Sequence, residues 1–189
     1  MTDFDSKKLT ELVLYILGKT GGVDFYHAFK ILYFAEMKHL AKWGCGIVPD
    51  KFCALPYGPV PTRLYNAVKE LNKPRMELST DLAEAVRFAG EDAPNILLPK
   101  REANLRFLSK SEIDALDSSI EENVSLHIAQ IMRKSHERAW ALSNRRVAGT
   151  DIISPISIAK ALHSYASITA YLTHSLQHDP TLSLIKLQL

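Results

Sequence analysis

At 189 residues and 47% hydrophobic, the chain is long enough to bury one substantial core, and its length does not demand two domains. Twenty-three basic residues against twenty-one acidic ones leave a formal charge of +2. That near-balance excludes the strong overall field on which non-specific nucleic-acid binding relies, and leaves open only a local basic patch.

Two cysteines, Cys45 and Cys53, are too few for a disulfide scaffold and read as free thiols in a reducing compartment. The N-terminal stretch Met1–Ser6 is acidic and lacks the basic start and apolar core of a secretion signal. The apolar run Leu12–Leu17 is too short to cross a bilayer. These features predict a soluble cytoplasmic protein without a membrane partner.

Leu9, Leu12, Val13, Ile16 and Leu17 recur at helical spacing, with Lys7, Lys8 and Glu11 outside that stripe. Gly18 and the Gly21-Gly22 pair are expected to end this first helix. A second helix is predicted from about Asp24 to Lys42, stopping at Gly44. Phe25, Ala28, Phe29, Leu32 and Leu40 lie on one side of it, and Tyr26, Ile31, Tyr33, Phe34 and Met37 elsewhere. A helix apolar nearly all round belongs at the centre of a core.

From Gly46 to Val60, Pro49, Pro56, Gly58 and Pro59 break helical structure, and Lys51–Leu55 reads as a short strand or extended segment. Pro61 suits the first turn of a third helix, whose stripe is Leu64, Ala67, Val68 and Leu71. Arg63, Asn66, Lys69 and Glu70 would face water.

Between residues 72 and 108 the pattern predicts a small antiparallel element. Asp81–Phe88 reads as a short helix or Ala85–Ala89 as a strand, while Ile96–Pro99 and Leu105–Leu108 have strand composition. Ser109-Lys-Ser-Glu112 is a capping box opening a helix with Ile113, Leu116 and Ile120 inward and Asp114, Asp117, Glu121 and Glu122 outward. A further helix after Ser125 carries Leu126, Ala129 and Met132 and ends near Arg133-Lys134, where cations suit the helix dipole. Ser154-Pro155 then opens a C-terminal helix to about Gln177, and the apolar tail Leu182–Leu189 is expected to dock on this chain or on a partner.

Two motifs stand out. In Tyr57-Gly58-Pro59-Val60, glycine conformational freedom and proline rigidity make a corner. Either it is a rigid turn with Tyr57 packed in the core, or Tyr57 and the corner belong to a recognition surface. In Ser135-His-Glu-Arg-Ala-Trp140, Ser135 is positioned to cap a short helix, with His136 and Trp140 four apart on one face. A catalytic histidine is chemically conceivable, but no nucleophile is placed beside it by the sequence, so a structural histidine and an anchoring tryptophan are preferred.

No compact metal-ligand set occurs; the pairs His174/His178 and Glu36/His39 do not make one. Neither a phosphate-binding glycine loop nor a Gly-x-Ser-x-Gly elbow is present. Arg145-Arg146 reads as a solvated turn.

Four pieces in order, Lys30-Ile-Leu-Tyr-Phe-Ala-Glu36, Gly46 with Asp50–Val60, Leu108–Leu116, and Ser135–Trp140, resemble the Panacea domain of SocA-like antitoxins, also found among phage-associated proteins. The resemblance implies a mainly α fold, a single globular helical domain with a small antiparallel β element. The matching pieces cover roughly residues 9 to 165, and the domain itself is read as 1–189, with 154–189 a helical C-terminal extension. The resemblance is otherwise silent on that extension. It also implies no catalysis and no cofactor.

The implied function is that of an antitoxin neutralising a protein toxin encoded nearby by direct binding. In one branch the antitoxin is a proteolytic adaptor that hands its toxin to a bacterial protease. Motif or partner-binding positions carried over are Lys30, Tyr33, Tyr57, Gly58, Pro59, Val60, His136 and Trp140. Nucleic acid is disfavoured as a partner and oligomerisation is left open. Two alternatives belong to other classes. One is a DNA-binding transcriptional regulator using the helix after Pro61; the other, ranked last, is a hydrolase built on His136 and Glu137.

Overall fold

A computed structural model describes residues 2–143 together with 152–153. The expected C-terminal helix, the apolar tail, the His174/His178 pair and Arg145-Arg146 lie outside the described residues.

Helix α1 (Asp3–Thr20) starts with a reciprocal cap. Thr2 Oγ1 accepts from the Asp5 amide at 3.1 Å, and the Asp5 carboxylate accepts from the Thr2 amide at 2.9 Å. The helix carries Gly18 within it and stops only at Gly21, whose φ of 72° is left-handed. After strand β1 (Val23–Asp24), Asp24 caps helix α2 (Phe25–Trp43) by accepting from the Tyr26 amide at 2.8 Å, and Gly44 closes it.

As its composition requires, α2 is buried along most of its length, and it packs against α1, β1, β3, β5 and the helices α5 and α6 described below. One continuous core runs from Leu9 on α1 through α2 to Ile153.

Strands β2 (Phe52–Leu55) and β3 (Gly58–Pro61) form an antiparallel hairpin, with Leu55 opposite Gly58 and Phe52 opposite Pro61. Two prolines in β3 are tolerated because the hairpin has only two strands and the outer edge of β3 carries no further ladder. Pro61 therefore ends a strand and sits just before helix α3 (Thr62–Lys69), one position earlier than expected. Asp50 secures the start of that helix by accepting from the Leu64 amide at 2.9 Å.

Helix α4 (Glu77–Ala85) leads directly into β4 (Val86–Gly90), which pairs with β5 (Ala93–Pro99). Of the two readings of residues 81–89, the helix holds only as far as Ala85, and the strand takes over from Val86. The sheet order is β1-β5-β4, antiparallel throughout.

Leu105–Phe107 is a 3-10 turn and not the expected strand. Asn104 caps the turn by accepting from the Arg106 amide at 3.2 Å, a local bond that competes with extended structure. Glu11 also holds the segment down: its carboxylate accepts from Arg101 at 2.6 and 3.0 Å and from the Asn104 amide at 2.7 Å.

Helix α5 (Lys110–Asn123) begins with the predicted Ser109–Glu112 box. Helix α6 (Ile128–Ser135) is capped by His127, leaving Leu126 in the preceding turn, and α7 (Arg138–Ser143) follows at once. Ile152 bridges to Cys53, and the Ile153 amide donates to Phe52 O at 2.8 Å. The described residues thus form a mainly α domain with a small antiparallel β element. No helix among them is long and apolar enough to cross a membrane.

Candidate partner-binding surface

Central helix α2 carries five polar groups at three-residue spacing, His27, Lys30, Tyr33, Glu36 and His39, all buried. Each step of three rotates roughly 60° backwards around a helix, so the five point successively to different neighbours. A His27 ring nitrogen lies 2.9 Å from Asn123 O at the end of α5. Glu36 accepts from the Ile47 and Val48 amides at 2.6 and 2.9 Å, and burial pushes its carboxyl above the ordinary range. Any Cβ at Gly46 would fall 2.2 Å from Glu36 Oε1, so this loop must be glycine where it passes the carboxylate. His39 reaches Cys45 O at 2.7 Å and Ser111 Oγ at 3.1 Å.

Lys30 and Tyr33 face the hairpin and the α6–α7 corner. The Lys30 ammonium donates to Pro59 O at 2.7 Å and is 1% exposed. Among the described residues no carboxylate forms an ion pair with it. Desolvation without a counter-charge brings its pKa down to about 7. Gly58 lies directly over this amine. Its φ is 96°, and a Cβ there would meet Ser135 Oγ at 2.4 Å and Lys30 Nζ at 2.8 Å. Glycine is required at this position for both backbone conformation and space.

Tyr33 donates its hydroxyl to Glu137 Oε1 at 2.6 Å. The same carboxylate accepts from the Ala139 amide at 2.6 Å and the Trp140 amide at 3.0 Å, which caps α7. Ser135, expected to cap this helix, instead ends α6 and donates to Met132 O at 2.7 Å. The reason is chain position: α6 runs on through Ser135, just past the expected end at Arg133-Lys134, and the next side chain able to reach the free amides is Glu137. On the outer side, Trp140 Nε1 donates to Leu55 O at 2.9 Å, and the His136 ring stacks on the indole at 4.0 Å. Burial and the nearby Lys30 hold the His136 imidazole below its ordinary pKa, partly offset by a bond to the Pro56 carbonyl.

Seven of the eight motif positions therefore meet in one clip joining α2, the β2–β3 hairpin and α6–α7. Lys30, Tyr33, Gly58, Pro59 and Val60 are buried, Trp140 is partly buried, and His136 is at the surface. Tyr57 differs. It is not packed in the core but stands 69% exposed at the hairpin tip. Sequence reasoning did not give Glu137 its capping role or Leu55 its role as acceptor. The only local hint was an acid two residues before unbonded helix amides.

These contacts define a small helical domain whose central polar side chains hold its own segments together. The chain belongs to the SocA-like antitoxin family: "Antitoxin SocA-like, Panacea domain" matches residues 29–141, more than half its length. The match begins one residue before Lys30 and ends one residue after Trp140, so it encloses the whole clip. Family membership supports an antitoxin role. No curated protein and no solved structure matches the chain significantly.

Proposed function

We propose that this protein is an antitoxin that neutralises a cognate protein toxin, encoded nearby, by stoichiometric binding and without catalysis of its own. The observation that carries the reading is the family match over residues 29–141, which spans the entire clip. In this reading affinity comes from aromatic and apolar side chains desolvated at an interface, while charges tune encounter and specificity. Handing the toxin on to a bacterial protease is a further step that the same binding surface allows.

The chemistry of the clip agrees with binding better than with hydrolysis. His136 is stacked on Trp140, and the Glu137 carboxylate is occupied by Tyr33 and by two backbone amides. The Glu137 carboxylate is thus committed to holding the fold, and a His136 ring nitrogen is bonded to the Pro56 carbonyl.

The test is co-expression with the product of the neighbouring open reading frame. Growth arrest by the neighbour alone, relieved by this protein, together with co-purification of the two, is the expected result. A harmless neighbour would overturn the reading. Salt-sensitive promoter binding through the exposed Arg63, Asn66 and Lys69 of α3 would then favour a regulator.

A further inference from the structure

Beside the clip, and outside the hydrogen bonds that hold it, lies a cleft of about 350 Å³ lined by Asp24, Tyr26, Tyr57, Asn95, Ile128 and Met132. These residues come from β1, the start of α2, the hairpin tip, β5 and α6, so the cleft exists only in the assembled fold. Its composition is unlike an average surface. Two tyrosines, a methionine and an isoleucine make the walls, and Tyr, Met and other large side chains are enriched at the centres of protein interfaces. Tyr57 is the most exposed large hydrophobic side chain among the described residues, at 69%. Its hydroxyl and ring have no hydrogen-bond, ring or ion partner among the described residues, whereas Trp140 and His136 nearby are committed to each other and to Leu55.

The charge in the cleft is equally specific. Asp24 is the one charged residue lining it. One carboxylate oxygen caps α2 through the Tyr26 amide, and no cation pairs with the group among the described residues. The ion pairs of Lys7 with Asp3, Lys19 with Asp117, and Lys38 and Lys134 with Glu122 all lie outside the cleft lining. An apolar slot with one unpaired acid at its rim complements a large apolar side chain followed by a lysine or arginine.

We infer that this cleft is the toxin-docking site, that Tyr57 and Met132 are its contact residues, and that the docked toxin segment presents an apolar anchor flanked by a cation. His136, Trp140 and Pro59 then act by holding the hairpin tip, not by touching the toxin. This assignment rests on the antitoxin reading above.

The experiment uses the full chain and the neighbouring gene product in co-expression, scoring growth rescue and co-purification. Tyr57→Ala and Met132→Ala are each expected to weaken binding by about tenfold or more, the loss typical of an interface hot spot. Their melting temperatures should stay near wild type, since Tyr57 contributes little buried surface. Asp24→Asn keeps a good helix cap and removes only the charge; it is expected to weaken binding most at low salt. Rescue and co-purification at wild-type levels by both alanine variants would overturn the docking assignment while leaving the antitoxin reading intact. A neighbour that wild type neither binds nor neutralises would overturn both.

Discussion

The Lys30 ammonium and the Pro59 carbonyl meet at 2.7 Å inside the protein, with no ion pair to the lysine among the described residues. A buried lysine held by one peptide oxygen fixes the corner from within. The hairpin beyond it therefore rests on an amine that solvent does not reach.

That charge has a pH signature. The folded-state pKa of Lys30 is about 7, against 10.5 ordinarily. Between these values the unfolded chain binds more protons than the folded one, so stability rises with pH from about 7 towards 10.5. Urea unfolding at several pH values should give a midpoint that climbs over this window. In Lys30→Met the climb should disappear; an unchanged slope in that variant would assign it to another group.

Gly58→Ala combines a left-handed φ with a clash against Ser135 and Lys30. A loss of about 2 kcal/mol or more is expected from the strain alone. Adding Ser135→Gly should recover only part of it, because the backbone penalty at φ 96° remains. Full recovery in the double variant, read from thermal melting, would show that sterics alone set the requirement.

Tyr33 and Glu137 act as a pair. Tyr33→Phe removes a hydrogen bond to a carboxylate and should cost about 1.5–3 kcal/mol. Glu137→Ala also removes the cap of α7, adding roughly 1 kcal/mol. A double-mutant cycle on unfolding free energies should show clear coupling. Additive losses would mean the 2.6 Å contact contributes nothing in solution.

Trp140→Ala should lower stability by about 2 kcal/mol, since it deletes the bond to Leu55 O and the His136 stack together. Toxin binding should fall with it, whereas Tyr57→Ala should lose binding at unchanged melting temperature. The reverse pattern would exchange the roles given to the two aromatics.

Much of the fold was legible locally. The Ser109–Glu112 box, the Asp24 and Gly44 limits of α2 and its all-round apolar character are written in neighbouring residues, and helices obey neighbours. Leu105–Leu108 was misread because strand composition does not show the Asn104 cap or the distant Glu11 carboxylate that hold the segment as a turn. The clip was legible only through family resemblance: Lys30, Gly58 and Ser135 are brought together across about a hundred residues, and no local period encodes such a meeting. Of the two readings of Tyr57, packing in the core is the one that fails. An aromatic next to Gly-Pro suggests packing, but at the tip of a two-residue hairpin turn it projects into solvent.

The most direct test of the central claim is the mass of the complex formed when this protein and the neighbouring gene product are co-expressed and separated by size exclusion with light scattering. A single peak containing both chains in an integer ratio, lost with Tyr57→Ala and retained with an exposed control such as Thr80→Ala, is the predicted result. Separate elution of the two wild-type proteins under conditions where growth is still rescued would contradict neutralisation by direct binding.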